Sequence, residues 1–346
     1  MRYKMLIEQT VALFRNRNVL VTGGLGFIGS NAAVRLAEAG ARVTVVDCRD
    51  PLCGANPHNL AGAAGIRVIE ADIGDAAALS GVLRGVDVVF NFAGEISHVR
   101  SMQDPARDAR LNAASQLRFL QECARQAGGI RVVYAGTRQI YGVPQYLPVD
   151  ESHPVRPVDF NGVHKYAATA YHLLWSEMGR IDARVLCLTN VYGPRMALDV
   201  PGQGFLGHFL RRALSGETIE IFGDGRQLRD PVHVDEIVDA FLLAGAAEAP
   251  ASRLWNVGGC AALPLASIAE MISGAADAPA PVFRPFPEAS KAINIGSYAT
   301  DSARIARDLG WRARIPFAEG IRRTIDWYRQ ELPHYLPNCA AAPRRL

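Results

Sequence analysis

The sequence predicts an α/β chain: a doubly wound parallel sheet carrying a smaller C-terminal α/β lobe. Two features predict it. Through the first 193 residues, short Val- and Ile-rich runs alternate with segments of helical period. Strands of that kind are buried on both faces, which requires a parallel sheet covered by helices above and below. Beyond residue 193, Gly and Pro become frequent and the elements shorten. That change fits a second lobe built over the carboxyl edge of the sheet, where open α/β sheets bind their ligands.

"NVLVTGG" (18–24) is a β-branched run that ends in glycines, and "FIGSNAAVRLAEAG" (27–40) has helical period and stops at Gly40, suited to a helix C-terminus. Strand runs follow at 42–47, 66–73, 86–94, 130–136 and 183–193, which with the first makes six runs through residue 193. Helix patterns fall near 75–84, 106–127 and 162–178, with Asn161-Gly162 as a turn before the last of them. Shorter elements are expected at 205–215, 218–222, 235–246, 264–275 and 302–310. Residues 1–193 then form the sheet domain, to which 230–258 returns. Residues 194–229 and 259–330 form the second lobe, and 331–346 a tail, loose from about 339.

Composition narrows the function classes. The 346 residues are 49% hydrophobic and 21% charged, ordinary for a soluble globular chain. A net charge of +3 and the absence of a Lys/Arg cluster give no support to nucleic-acid binding. The six cysteines are scattered without a Cys-x-x-Cys pair, which disfavours a zinc site or a disulfide framework and fits a reducing cytoplasm. No run reaches the roughly 18 apolar residues of a spanning helix, and residues 1–14 lack the pattern of a signal peptide. No membrane partner and no metal are expected.

"VTGGLGFIGS" places Gly23, Gly26 and Gly29 between the first strand and the first helix, with Phe27 and Ile28 opening that helix. Glycines there permit a tight turn and let backbone N–H groups approach a pyrophosphate. Asp47 ends the next strand, 18 residues after Gly29. A carboxylate at that point accepts hydrogen bonds from ribose hydroxyls and repels a 2′-phosphate, so a Rossmann-type NAD site is predicted. Arg49, two residues on, would suit NADP instead.

The spacing Gly23-x-x-Gly26-x-x-Gly29 resembles that of the extended short-chain dehydrogenase/reductase family. So do "EADIGD" (70–75), "NFAGEIS" (91–97), "VVYAGTRQIYG" (132–142), "LTNVYGPR" (188–195), "FGDGRQLRDPVHVDEIVDA" (222–240) and "WNVGG" (255–259). The likeness covers roughly residues 17 to 328. Members of the family act mostly on nucleotide sugars with NAD(P), as epimerases, dehydratases, decarboxylases and reductases. The resemblance implies that Asp72 and Ile73 flank the adenine, that Ala93 lines the cofactor, and that Asn112 is a buried asparagine. It implies that Thr137 hydrogen-bonds the reacting oxygen and that Lys165 holds the nicotinamide ribose. Without that resemblance Lys165 would be a cation in the first turn of a helix, where it opposes the macrodipole.

One position departs from the family. The tyrosine expected four residues before Lys165 is Asn161, a neutral amide that cannot take a proton at neutral pH. Oxidising a sugar carbinol requires removal of its hydroxyl proton. Glu95 is the carboxylate carried as the substitute base. Tyr141 is read as a structural aromatic and His164 as a structural or interface histidine. Family dehydratases have Thr-Asp-Glu at the Thr137 position; here Thr137-Arg138-Gln139 supplies neither acid nor base, which argues against 4,6-dehydration. On the substrate side the resemblance assigns Asn190 and Arg229 to the nucleotide diphosphate, with Lys291 where relatives have an arginine. The "GQGFLGHFLRRA" stretch (202–213) resembles the branch containing CDP-sugar 2-epimerases.

The implied activity is an NAD-dependent nucleotide-sugar epimerase that oxidises and re-reduces C4 or C2. The alternatives are an NAD-using nucleotide-sugar oxidoreductase or decarboxylase, and a degenerate protein that only binds NAD or a nucleotide sugar. Helices 106–127 and 162–178 each carry two apolar stripes, Leu117/Leu120/Ala124 beside Phe119/Cys123 and Ala167/Ala170/Leu174 beside Tyr171/Trp175. One stripe can cover the sheet while the other needs a partner. Relatives dimerise through a bundle of these two helices, so a homodimer is expected.

Overall fold

The structure, a computed structural model, describes residues 2–126, 129–200, 202, 204–286 and 295–336. Six parallel strands come first: β1 (Asn18–Thr22), β2 (Arg42–Asp47), β3 (Ile66–Glu70), β4 (Val88–Asn91), β5 (Arg131–Thr137) and β6 (Asp182–Leu188). The run expected at 183–193 divides, and its end, β7 (Val191–Tyr192), leaves the sheet. It pairs with a later dipeptide strand, Val232–His233. The main sheet takes its seventh member from Leu254–Val257, which adds parallel to β6. The order is Leu254–Val257, β6, β5, β4, β1, β2, β3. The chain reverses direction across the sheet between β1 and β4, and the carboxyl ends beside that switch point are where such sheets hold ligands.

Alternation along each strand sends neighbouring side chains to opposite faces. Val19 and Val21 of β1 and Val88 and Phe90 of β4 enter one apolar cluster with the helix Val234–Ala246. Leu20 and Val89, between them in sequence, enter the opposite cluster with Phe119, Leu120 and Cys123. A third core, around Leu206, Phe209, Ile268 and Ile325, belongs to the second lobe. The expected short elements are present at Phe205–Leu214, Glu220–Phe222, Val234–Ala246, Leu265–Ala276 and Ala303–Leu309.

The expected helix 106–127 is present as an uninterrupted helical run, Pro105–Ala109, Arg110–Ala114 and Ser115–Ala124, whose middle stretch is π-helical. Two sequence readings need correction. Asn161-Gly162 is not a turn: the helix runs Phe160–Glu177, because Asp159 caps it by accepting a hydrogen bond from Gly162 N at 2.7 Å. The tail does not start at 331, since Tyr335 and Leu336 are buried in the core of the second lobe. The loose end expected from about 339 lies outside the described residues, as does Lys291. Amphipathic helices at Arg2–Ala12 and Phe317–Glu331 were not anticipated. No helix among the described residues is long and apolar enough to cross a membrane.

Candidate active site

A deep cavity opens at the carboxyl edge of the sheet. Its walls come from the ends of β1, β2, β4, β5 and β6, and Met196, Ala197, Phe205 and Leu206 of the second lobe close the other side. Gly23, Gly26, Phe27, Ile28, Gly29, Asp47, Asp72, Ile73, Ala93, Thr137, Asn161, Lys165 and Asn190 all line it. These expected site residues span 168 positions of chain (23 to 190), yet they face one space.

The phosphate loop fits its expected guest. The helix Phe27–Glu38 begins at Gly26 with no side-chain cap, so its first N–H groups remain available to an anion. A Cβ on Gly29 would collide with the Gly23 carbonyl oxygen, so only glycine lets the helix start this close to the turn. Asp47 is held by two backbone donors: Leu25 N to Oδ2 at 2.9 Å and Arg49 N to Oδ1 at 2.8 Å. Burial nevertheless pushes its carboxyl above the usual range, a cost that hydrogen bonds from a ribose would reduce. The Arg49 side chain turns to Glu70, with Nε to Oε2 at 3.0 Å, and does not line the cavity. The residue that raised the possibility of NADP is therefore occupied elsewhere.

Lys165 lies one turn into the helix Phe160–Glu177 and is buried, and its ammonium makes no hydrogen bond within the described residues. Burial pulls its pKa down, opposed by the charges of Asp108 and Glu95. Gly94 makes room for it: a Cβ there would sit 2.9 Å from Nζ and 2.6 Å from Asn112 Oδ1. Asn112 is buried as expected and accepts a hydrogen bond from Glu95 N at 3.0 Å. Thr137 ends β5 with its hydroxyl in the cavity, accepting a long bond from Gln139 N at 3.3 Å.

Asn161 fills the tyrosine position as a structural clamp. Its Nδ2 donates to the Glu95 carbonyl and to Asp108 Oδ2, both at 2.9 Å. Asp108 in turn pairs with His164 Nδ1 at 2.7 Å, which accounts for His164 as a structural histidine. Tyr141 is also structural, donating to Asn256 Oδ1 at 2.7 Å.

Glu95 is not the substitute base. Its carboxylate is buried off the cavity and accepts from Ser97 N at 3.0 Å, Arg100 Nη2 at 2.9 Å and Arg107 Nη1 at 2.7 Å. Burial alone would raise its pKa, but these donors hold it below the ordinary value. A carboxylate so engaged is a poor proton acceptor. Arg229 is also elsewhere. Its Nη1 donates to the carbonyls of Leu228 at 2.7 Å and Gly296 at 2.6 Å, and it is not among the residues lining the cavity.

The sequence reading missed His98. It lines the cavity at the start of the helix His98–Gln103, and its Nδ1 lies 2.5 Å from Asp159 Oδ2. Its Nε2 touches the side-chain amide of Gln139, the second residue after Thr137. Burial would raise the Asp159 carboxyl, but the bond to His98 holds it below the ordinary value. Sequence carried no usable signal for this pair, because 61 residues separate its members. Outside the cleft, His58, Glu331 and His334 form a cluster of possible metal ligands among the described residues. The two imidazoles are stacked at 3.6 Å and within 13° of parallel, so their nitrogens do not converge on one ion.

A glycine turn at the sheet's switch point, a ribose-directed carboxylate and a Thr/Lys pair in one cleft define an NAD-dependent oxidoreductase-type enzyme. The chain belongs to the NAD dependent epimerase/dehydratase family, whose pattern matches residues 19–258. It is 34% identical to the UDP-glucose 4-epimerase of Mycolicibacterium smegmatis over 317 residues, 90% of this chain and 98% of the relative. It is 30% identical to a dTDP-glucose 4,6-dehydratase of Streptomyces niveus, over 92% of this chain and 95% of the relative. The UDP-glucose 4-epimerase of Thermotoga maritima, solved with UDP-glucose, superposes with a TM-score of 0.81 at 30% identity, covering 91% and 99% of the two chains. A dTDP-glucose 4,6-dehydratase of Streptomyces venezuelae, solved with NAD, gives 0.81 at 29% identity over 92% and 99%. The protein is an enzyme and NAD is its cofactor.

Proposed function

We propose that the chain epimerises a nucleotide sugar by transient oxidation of one hydroxyl-bearing carbon, C4 or C2, with the His98–Asp159 pair as proton acceptor. The observation that carries this reading is the shared cavity: Thr137, His98 and Lys165 line the same space as the phosphate loop and Asp47.

The roles follow from the geometry. Bound NAD supplies the reversible two-electron acceptor, held by the glycine turn, Asp47, Asp72, Ile73, Ala93 and Lys165. Thr137 Oγ1 orients the sugar hydroxyl. Asp159, hydrogen-bonded to His98 Nδ1, fixes the tautomer that leaves Nε2 as the basic nitrogen. Nε2, once the sugar hydroxyl displaces the Gln139 amide that contacts it, removes the hydroxyl proton as the ketone forms and returns it when the alcohol is restored. Lys165 places positive charge beside the oxygen on which negative charge develops. Asn161 holds the Glu95 loop and Asp108 in place and takes no proton. Arg138 and Gln139 supply no acid–base pair for elimination, which favours epimerisation over 4,6-dehydration. The exposed apolar face of the helix Phe160–Glu177 supports a homodimer.

The test is incubation of the purified protein with UDP-, GDP- and CDP-hexoses, with products read by NMR. One stereoisomer should convert to its epimer with catalytic NAD. H98Q should lower kcat at least about 100-fold, in line with loss of general-base catalysis, and imidazole should partly restore H98A. No stereochemical change with any sugar would overturn the epimerase reading, and stoichiometric consumption of NAD would replace it with net oxidation. Full activity of H98Q would remove His98 from the mechanism.

A further inference from the structure

Arg138 follows Thr137 directly and lines the same cavity. Arg138 is 9% exposed, and its guanidinium makes no hydrogen bond or ion pair within the described residues. Nη1 is enclosed without a partner. The acidic groups whose charge reaches it are already engaged. Asp159 is taken by His98, and Asp230 accepts from Thr189 Oγ1 at 2.6 Å and from Thr300 N at 2.9 Å. The Tyr298 ring under the guanidinium, 4.6 Å from centroid to Cζ, supports a cation without satisfying its donors. Two further buried polar atoms on the cavity wall lack partners, Gln139 Oε1 and Asn190 Oδ1.

A buried guanidinium without an acceptor is costly, because desolvation is not offset by any bond. Burial accordingly pulls its pKa down, and nearby Asp230 and Asp159 recover only part of the loss. Such a group is retained where a ligand completes it. The planar fork of arginine matches a carboxylate in bidentate fashion. Consecutive Cα atoms lie 3.8 Å apart, so Arg138 serves the end of the cavity where Thr137 orients the reacting hydroxyl. The opposite end, at Asp47, Asp72 and Ile73, is the adenosine side of the cofactor site. The unpartnered oxygens of Gln139 and Asn190 are acceptors and suit sugar hydroxyls, leaving the anion to Arg138.

We infer that the preferred substrate is a nucleotide sugar whose pyranose carries a carboxylate, and that Arg138 binds that carboxylate. The inference rests on the nucleotide-sugar reading above and narrows its substrate class. A diphosphate oxygen is the competing acceptor, and the experiment separates the two.

Binding of UDP-glucose and UDP-glucuronate, and of GDP-mannose and GDP-mannuronate, is measured by calorimetry on the NAD-loaded protein. Wild type should bind one uronate at least 20-fold more tightly than its neutral partner. In R138Q that ratio should fall below about threefold. R138K should recover part of the ratio, since a lysine keeps the charge but not the fork. Equal affinity of wild type for both members of each pair overturns the inference without any variant. So does an R138Q that weakens both members equally, the result expected if Arg138 holds the diphosphate or only supports the fold. Uronate preference without stereochemical turnover would sink the epimerase reading and leave the substrate class standing.

Discussion

Asn161 shows how one residue changes the chemistry of a site while keeping its architecture. Its amide replaces a proton acceptor with two donated hydrogen bonds, to the Glu95 carbonyl and to Asp108. Removing that side chain leaves Asp108 Oδ2 buried without its donor. N161A should therefore lose about 1–3 kcal/mol of stability, the cost of an unsatisfied buried acceptor, as read by urea unfolding at pH 7. Equal stability of wild type and N161A would show that water or a shift of Asp108 replaces the bond. The glycine turn and Asp47 were legible in the sequence because a phosphate loop and a strand-end carboxylate depend on local backbone geometry and fixed spacing, whereas Thr137 and Lys165 were singled out only by resemblance to a family. His98, Asp159 and Arg138 were not legible, since each gains its meaning from partners placed against it by the fold. Glu95 was misassigned for the same reason: nothing near it in sequence announces that Arg100 and Arg107 converge on one carboxylate.

At the scale of elements, the segment from Gly94 to Ala109 acts as one braced unit behind the cavity. Glu95 ties its first turn to the helix His98–Gln103 through Arg100 and to the helix Pro105–Ala109 through Arg107. Arg107 also reaches Asp50 at 2.6 Å. Because the folded pKa of Glu95 lies below its ordinary value, its contribution is fully present above the ordinary range near pH 4.3. That contribution is lost as pH falls through the lowered folded value. E95Q should be less stable than wild type by about 3 kcal/mol at pH 7, the low end for breaking a buried pair, since Arg107 keeps Asp50. The gap should close on acidification, followed by denaturation at pH 7, 5 and 3. A gap independent of pH would mean that shape, not charge, braces the segment. Sequence placed most strands and the helix Phe160–Glu177 within a few residues, but read Asn161-Gly162 in its first turn as a separate turn. Asn-Gly is a turn signal only where no cap precedes it, and Asp159 is that cap.

For the whole molecule, hydrophobic periodicity predicted the architecture, because a strand buried on both faces leaves few ways to fold. The reading that returns 230–258 to the sheet domain did not say that Leu254–Val257 is the seventh sheet strand in place of the end of the run at 183–193. Which strand joins an edge depends on where the chain returns, not on the strand's own composition. Periodicity likewise marked two apolar stripes on the helix Phe160–Glu177 without saying which one the sheet covers. Tyr171 and Trp175 pack against the sheet cluster, while Val163, Tyr166, Leu174 and Met178 stand 42–60% exposed. Lys165, Ala168 and His172 of the same helix are buried, so a partner on the exposed stripe would clamp the helix from the side opposite the active site. The 37.4 kDa chain should therefore run as a dimer by light scattering at tens of micromolar. The double variant V163E/L174E should run as a monomer, since it buries two carboxylates in an apolar contact. Its melting temperature should fall, and NAD retention should weaken as the Lys165 helix loses its outer support. A wild-type monomer at that concentration would end the proposal. A dimer that survives both substitutions would place the interface on another face.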